Sequence, residues 1–195
     1  MKPMEQKKEQ KRAAIIQAAL ETFRSDGYVG TSMDSIANKA GVTKQTVYRY
    51  FNSKEVLFQA SLEAQRHEVR SLFLDELDRD DARDALLHFA IGFLKVHMAE
   101  EHLAGIRLMV AEGPTAPEMT RAHFAQGPRK TEARLGEFIT DRFQLDDPEY
   151  AIKVLLSTLL SMRMSVLVGL HTPPTQVEME HHAERTVDIF MQLVS

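Results

Sequence analysis

Apolar residues recur every three or four positions along most of this chain, whereas alternating apolar and polar runs bounded by turn pairs are scarce. The first spacing is that of one face of an α-helix, and the second is that of a β-strand. Between residues 5 and 25 the apolar stripe consists of Ile15, Ile16, Ala19, Leu20 and Phe23. The pattern therefore predicts an all-α fold whose first helix ends at Gly27.

Two short helices are expected next. The sequence TSMD at Thr31–Asp34 matches a capping box with Thr31 as N-cap, and it predicts a helix that ends at Gly41. Thr43 can cap a second helix that continues to about Phe51. The chain therefore places two short helices in succession, joined by a tight turn.

Longer helices are expected in the rest of the chain. One begins at Asn52 or Ser53 and should run to about Arg79. Pro128 and Pro148 lie where a first helical turn tolerates a missing N–H group. The remaining helices are expected at about residues 81–100, 103–112, 128–143, 148–170 and 175–194. The total is about nine helices.

The composition is that of a soluble globular protein, with 44% hydrophobic and 27% charged residues among 195. There is no cysteine, which excludes disulfides, thiolate nucleophiles and cysteine-ligated metals. The charged N-terminus lacks the apolar stretch of a secretory signal. The longest apolar run, residues 151–170, contains Lys153 and Arg163. We therefore expect a cytoplasmic protein with no membrane span.

Charge is distributed unevenly along the chain, whose formal net charge is −4. Residues 1–55 contain 10 lysine and arginine residues against 6 aspartate and glutamate residues, a balance of +4. Residues 56–195 contain 14 against 22, a balance of −8. A basic module on an acidic body favours an anionic partner at one end only.

The stretch Ser32–Phe51 has the spacing of a helix-turn-helix. Ala37 is small at the point where the two helices would cross, and Gly41 can adopt the left-handed turn conformation. Ile36, Val42 and Val47 supply apolar contacts that would fix the angle between the helices. Two solvated helices with an incidental polar face would show the same turn, so the turn alone does not identify a function.

The outward face of the second helix adds chemistry to this geometry. With Val47 facing inward, a rotation of about 100° per residue turns Gln45, Tyr48 and Arg49 outward and Phe51 back to the core. Long hydrogen-bond donors on an exposed helix suit the major groove of DNA. Lysine and glutamine can bond base edges there, while tyrosine, arginine and threonine can bond phosphates.

The surrounding residues form a composite motif. An aromatic residue and a glycine end the first helix, the pairs Thr31–Ser32 and Ile36–Ala37 follow, and the turn reads AGV. The second helix of the pair carries two tyrosines, and Phe51–Leu57 reads F-x-S-K-E-x-L. With these features, the stretch Arg12–Leu62, about a quarter of the chain, resembles the TetR family of transcriptional regulators.

The resemblance implies roles for individual residues. In similar proteins the residues at Lys44 and Gln45 approach base edges, so these two are expected to read sequence. Many relatives have glycine where Gln45 stands, so its side chain implies additional readout or a shifted docking. The residues expected to contact phosphates are Thr31, Thr43, Tyr48, Arg49, Tyr50 and Lys54. Packing is the alternative role for Tyr50, and helix capping is the alternative for Thr43.

The resemblance also implies a homodimer that presents two recognition helices about 34–36 Å apart to double-stranded DNA. Residues 150–170 are apolar nearly all round and need cover on two sides. The last two helices are expected to form a four-helix bundle with their copies, and the alternative is a helix buried within one chain. The expected interface residues are Leu156, Leu160, Met164, Leu167, Val187, Phe190, Met191 and Val194.

The middle helices are expected to hold a small apolar effector, because methionine and aromatic side chains there offer an adaptable lining. The expected lining residues are Phe89, Phe93, His97, Met98, Leu103, Ile106, Met109, Phe124 and Met162. Ordinary core packing uses the same residue types and is the alternative. The adjacent residues His181 and His182 point about 100° apart on a helix, so no metal site is expected, and no cofactor is implied.

These features predict a ligand-responsive DNA-binding transcriptional regulator. A repressor that binds a palindromic operator as a dimer, and that a small apolar or amphipathic effector releases, fits best. Residues 1–53 would form the DNA-binding domain and residues 54–195 the effector-binding and dimerisation domain. An activator of the same fold and a helical interaction module without DNA binding are the alternatives.

An enzyme is not expected. The residues His97, Glu100, Glu101 and His102 could act as acids and bases, but such clusters are frequent on solvated helix faces. Neither a nucleophile nor a phosphate-binding loop accompanies them.

Overall fold

The computed structural model describes residues 3–124, 127–145 and 147–194, with side chains except those of residues 3, 65–72, 122–124 and 127–128. Eleven α-helices occur in this part of the chain, and none of its residues forms a β-strand. The all-α prediction is confirmed. The helices are α1 (Pro3–Gly30), α2 (Met33–Lys39), α3 (Lys44–Tyr50), α4 (Lys54–Leu74), α5 (Ala82–His97), α6 (Glu100–Glu112), α7 (Pro117–Phe124), α8 (Gly127–Phe143), α9 (Glu149–Leu159), α10 (Arg163–Leu167) and α11 (Gln176–Leu193).

The first helices differ from the sequence prediction in detail. Helix α1 is interrupted at Gly27, which has φ +76°, as the glycine signal indicated. The N-cap of α2 is Ser32 and not Thr31, because Ser32 and Ser35 bond each other's backbone N–H groups. Helix α4 ends at Leu74, before the predicted Arg79, and a 3₁₀ turn at Asp75–Asp78 follows it.

The predicted helix over residues 148–170 is two helices. The chain turns between Leu159 and Arg163, and this separates α9 from α10. The imidazole Nε2 of His182 on α11 lies 3.0 Å from the carbonyl oxygen of Thr158 and 3.2 Å from that of Leu159. A carbonyl that loses its helical partner must find another donor, and the Nε2–H group of His182 supplies it here.

Helix α7 lies in the gap between the helices expected at residues 103–112 and 128–143, and the sequence pattern did not predict it. Pro117 is its first residue, where proline is tolerated. The bond from the N–H of Ala116 to the carbonyl of Glu112, at 2.8 Å, closes the turn that precedes it. The prolines therefore start a helix here as well as interrupt one.

The chain divides into two compact units. The first unit comprises Met1–His67 and Arg107–Ala125, and the second comprises Glu68–Ile106 and Gln126–Ser195. Helices α4 and α6 therefore each contribute residues to both units. The division that we expected after residue 53 stays a prediction.

An aromatic trio lies at the centre of the first unit. The ring of Phe58 from α4 makes edge contacts with Phe23 and Tyr28, both at 5.1 Å between centroids. Phe23 and Tyr28 stack at 5.6 Å. Each buried aromatic side chain of this size contributes about 1.5–3 kcal/mol to stability, so the trio fixes α4 against the end of α1.

The core of the second unit is built by α5, α8, α9 and α11. Helix α11 packs against both α5 and α9. Phe89 of α5 and Phe190 of α11 are among its largest fully buried side chains. No helix within the described residues is both long and apolar enough to cross a lipid bilayer.

Candidate functional site

Helices α2 and α3 form the helix-turn-helix that the spacing predicted. Gly41 has φ +65°, and open space surrounds the position of a Cβ atom, so the turn needs glycine for its backbone conformation. The N–H of Val42 donates to the carbonyl of Ala37 at 3.0 Å. Ile36 and Val47 are both fully buried between the helices. These contacts hold α3 at a fixed angle to α2.

One face of α3 is open to solvent, as the helical phase predicted. Lys44, Gln45, Tyr48 and Arg49 are exposed, whereas Val47 is fully buried. The four exposed side chains carry two cations, an amide and a phenol, and all four can donate hydrogen bonds. This surface, which we call the recognition face, has the composition that a DNA groove requires.

Neighbouring groups hold parts of this face in place. The ammonium of Lys44 lies 2.6 Å from a carboxylate oxygen of Asp34 on α2, and that hydrogen bond raises the pKa of Lys44. Both side chains are more than half exposed, so the pair contributes little to stability and can be exchanged for another anion. Thr43 accepts from the N–H of Thr46 at 3.2 Å, which confirms its capping role.

Tyr50 and Phe51 form the inner end of α3. Phe51 is 2% exposed, as expected, and Tyr50 is half-buried. The guanidinium of Arg49 lies 5.7 Å from the centroid of the Tyr50 ring, a distance at which a cation is attracted to an aromatic face. The structure therefore gives Tyr50 a packing contact, and its contact with phosphate stays a prediction.

Thr31 is placed differently from the expectation. Its side chain is 3% exposed, and its hydroxyl lies 2.5 Å from the carbonyl oxygen of Gly27. A hydroxyl that is buried and bonded within the fold cannot also reach a phosphate in this conformation. The side chain of Thr31 closes the corner between α1 and α2.

Lys54 also serves the fold. Its ammonium donates to the carbonyls of Tyr28 at 2.7 Å and Thr31 at 3.0 Å, and lies 4.5 Å from the centroid of the Tyr28 ring. These are charge-assisted hydrogen bonds to backbone acceptors at the end of α1 and just after it. The expected phosphate contact of Lys54 stays a prediction, and it would compete with these bonds.

The end of α6 contacts the corner between α1 and α2, and the sequence did not predict this contact. The carboxylate of Glu112 accepts from the backbone N–H of Val29 at 2.8 Å. A Cβ atom at Gly27 would collide with this carboxylate, so the glycine allows the close approach as well as the left-handed backbone. Tyr28, the residue after Gly27, is also buried here. Burial, followed by the charge of the nearby Glu118, raises the pKa of its phenol to about 12.

Three of the expected interface residues are core residues. Val187, Phe190 and Val194 are at most 7% exposed and belong to the hydrophobic core of the second unit. Our assignment of these three to a dimer surface is therefore corrected, because their face of α11 packs against the unit's own helices. Of the other five, Met164 is 64% exposed, and Leu156, Leu160, Leu167 and Met191 are half-buried.

A different set of apolar side chains is exposed on these helices. Ile189 and Leu193 of α11 are 58% and 50% exposed, and they lie one helical turn apart on the face opposite the core. Their exposure was not predicted from the sequence. Tyr150, Val168, Leu170 and Val177 are further large apolar residues that are exposed in this region.

The residues expected around an effector are mostly buried in the second unit. Phe89, Phe93, Met98 and Leu103 are each at most 4% exposed, and Ile106 and Met162 are half-buried. Met109 belongs to the first unit, and the side chain of Phe124 lies outside the described residues.

Five ring side chains in this unit form a cluster that we call the aromatic cluster. The Phe93 ring stacks on the His97 ring at 3.8 Å between centroids, and His97 meets His102 at 4.6 Å. Phe73 and Phe89 each lie within 5.7 Å of Phe93. Ordinary core packing would also bring these rings together, so the effector pocket expected here stays a prediction.

Comparisons with known proteins agree with this architecture. Residues 15–61 match the family model described as bacterial regulatory proteins, tetR family. Residues 84–193 match the model of the C-terminal domain of AefR-like transcriptional repressors.

Solved structures match the chain over nearly its whole length. A TetR-family transcriptional regulator from Mesorhizobium loti is 31% identical and superposes with a TM-score of 0.80, covering 94% of this chain and 96% of that one. The flavonoid-responsive regulator FrrA is 30% identical, with the same TM-score and coverage.

Curated relatives match over a shorter region. The transcriptional regulator SrpR of Pseudomonas putida is 38% identical over 79 residues, which make up 40% of this chain and 37% of SrpR. The chain therefore matches little more than a third of that relative's length. The family models and the full-length structural matches nevertheless agree, and the chain belongs to the TetR family, whose members regulate transcription through a DNA-binding helix-turn-helix and are not enzymes.

Proposed function

We propose that this protein is a repressor that binds a palindromic operator as a homodimer and is released by a small amphipathic effector. The observation that carries the proposal is the recognition face, where Lys44, Gln45, Tyr48 and Arg49 are exposed on a helix anchored by the buried Val47. Lys44 and Gln45 would read base edges, and Tyr48 and Arg49 would position the helix on phosphates.

A homodimer would give this face enough contacts. One recognition helix covers few base pairs, whereas two in a two-fold dimer read half-sites one DNA turn apart. The exposed stripe of Ile189 and Leu193, together with the half-buried apolar residues of α9 and α10, is the surface we propose for the partner. An apolar surface of this kind needs cover from water.

A flat, partly polar molecule is the effector that the aromatic cluster suits best. A ligand ring would replace one of the ring contacts inside this cluster, such as that between Phe93 and His97, and imidazole nitrogens can bond hydroxyl groups at its edge. The likeness to FrrA, a flavonoid-responsive regulator that is 30% identical to this chain, supports an effector of this kind. The repressor role is supported by the AefR-like repressor model matched by residues 84–193.

Release of the repressor from DNA would follow because effector binding and operator binding are thermodynamically linked. Helices α4 and α6 belong to both compact units, so a ligand that displaces either helix would change the spacing of the two recognition helices. The ligand shifts the equilibrium only by its difference in affinity for the two arrangements, typically about 1–3 kcal/mol.

Selection from a random duplex library tests the DNA-binding part. The enriched sequences should be two-fold symmetric, with half-site centres about 10 base pairs apart or a multiple of that distance. Fluorescence anisotropy on the selected duplex and on a scrambled copy then gives the preference. Recovery of no consensus, or of an asymmetric one, would contradict the proposed dimeric operator binding. Transcription from a promoter overlapping this duplex separates repression from activation by its direction of change.

A flavonoid added to the protein–operator complex tests the effector part. It should weaken operator binding by about 5- to 150-fold, and Phe93→Leu should diminish this response while leaving operator affinity without ligand unchanged. A saturated fatty acid of similar carbon number is the matched control. Release by the fatty acid alone would replace the aromatic effector by an aliphatic one.

A further inference from the structure

A groove of about 520 Å³ lies within the first compact unit, beside the recognition face. One wall is the first three turns of α1, and the other is formed by the α2–α3 turn and the end of α3. Gly41 lies on the turn side of the groove, and Arg49 and Tyr50 lie at the end of α3. The groove therefore joins the N-terminal part of the chain to the helix that is proposed to read DNA.

The groove is strongly basic. Lys7, Lys8 and Lys11 line it from α1, and Arg49 lines it from α3. None of the described residues that line it is acidic. All four cationic side chains belong to residues that are exposed to solvent. Four positive charges around one concave surface attract an anion with several charges.

The lysines share one face of α1 because of their spacing. Residues three and four positions apart lie on the same side of a helix, and Lys11 is four positions from Lys7 and three from Lys8. Glu9 lies on another face, where it pairs with Arg12 at 3.8 Å. From Lys7 to Lys11 the helix rises about 6 Å, a length of duplex axis over which one DNA strand presents about two phosphates, at about 3.4 Å of axis each.

The groove is continuous with the recognition face of α3, and this continuity indicates which molecule occupies the groove. Arg49 belongs to both the recognition face and the groove, so a strand whose phosphate meets Arg49 continues past the lysines of α1. We propose that this groove holds the sugar–phosphate backbone of the operator beside each half-site, with Lys7, Lys8 and Lys11 as phosphate contacts. The inference rests on the proposed DNA-binding function and adds a second contact surface to it, one that contributes affinity and not sequence preference.

Salt dependence measures such contacts directly. Each neutralised phosphate contributes about −0.9 to the slope of log Kobs against log salt for duplex DNA. The triple variant Lys7→Ala, Lys8→Ala, Lys11→Ala should therefore flatten the slope by about 2.7 per protomer, or about 5 for a dimer. Alanine favours helix formation at these exposed positions, so circular dichroism and thermal unfolding should remain as in the wild type.

The matched control removes three lysines elsewhere. Lys95, Lys130 and Lys153 are exposed residues of the second unit, and their replacement by alanine changes the net charge by the same amount. This control should keep nearly the wild-type slope. The preference for the selected duplex over its scrambled copy should be unchanged in both triple variants, because phosphates are the same in both duplexes.

The outcomes separate this inference from the proposed function. If the wild type binds its selected duplex and the Lys7, Lys8 and Lys11 variant keeps the wild-type slope, the groove does not hold the backbone. An equal flattening in the control variant would also overturn the inference, since net charge would then explain it. If the wild type itself binds no duplex in dilute salt, the proposed function fails, and the inference that rests on it fails with it.

Discussion

Phe190→Ala should lower the free energy of unfolding by about 3–5 kcal/mol, the usual range for deleting a buried ring. The Phe190 side chain is 1% exposed in the core of the second unit and meets the Phe143 ring at 6.5 Å between centroids. Its truncation removes apolar burial and leaves a cavity that the neighbours fill only in part. Chemical denaturation followed by circular dichroism measures the loss.

The adjacent residue provides the matched comparison. Ile189 is 58% exposed, so Ile189→Ala should leave the monomer folded but weaken self-association. In a two-fold interface each substitution is present twice, once on each protomer. At about 1 kcal/mol per copy, the dimer would be roughly 30-fold weaker. Sedimentation over a dilution series measures this, with the exposed Glu184→Ala as control. Wild-type association in Ile189→Ala would move the interface elsewhere, and wild-type stability in Phe190→Ala would contradict the core assignment.

Removing the base-reading side chains should have the second large effect. Lys44→Ala and Gln45→Ala should each cost about 1–3 kcal/mol per half-site, a loss of roughly 30-fold or more over two half-sites. Both should also reduce the preference for the selected operator over a scrambled duplex. The pair between Lys44 and Asp34 is largely exposed, so its loss has little effect on folding. Anisotropy at fixed salt concentration gives affinity and preference together.

Lys153→Ala is a suitable control for Lys44→Ala. Lys153 is also exposed and also pairs with a carboxylate, that of Glu149, but it lies in the second unit. Operator binding should be as in the wild type. If Lys44→Ala and Gln45→Ala both retain wild-type affinity and preference, α3 is not the reading helix.

Local spacing predicted those features that depend on neighbouring residues. The inward position of Val47 fixed the phase of α3, and the exposed residues of that helix followed from it. The cap at Thr43 and the turn at Gly41 are also determined within a few positions. A helix-turn-helix is readable from sequence because each of its parts is short.

Distant contacts decided what the sequence could not show. Helix α11 has apolar residues on two faces, and only packing shows that Phe190 faces its own core while Ile189 faces outward. The turn between α9 and α10 contains neither glycine nor proline, and the carbonyls there are bonded by His182, more than 20 positions away. Lys54 likewise bonds a carbonyl 26 positions earlier. Composition identifies such residues as apolar or cationic but does not identify their partners.

The bond between Glu112 and the N–H group of Val29 has a consequence for observing this protein at work. The carboxylate of Glu112 accepts the Val29 amide hydrogen at 2.8 Å, so this bond should slow the exchange of that hydrogen with solvent deuterium. Glu112 is the last residue of the continuous helix α6, which begins at Glu100. The protection of the Val29 amide against exchange therefore depends on the position of the C-terminal end of α6. Hydrogen–deuterium exchange at the Val29 amide therefore reports the position of the Glu112 carboxylate, 83 positions away in the chain. The measurement needs no attached probe and no substitution.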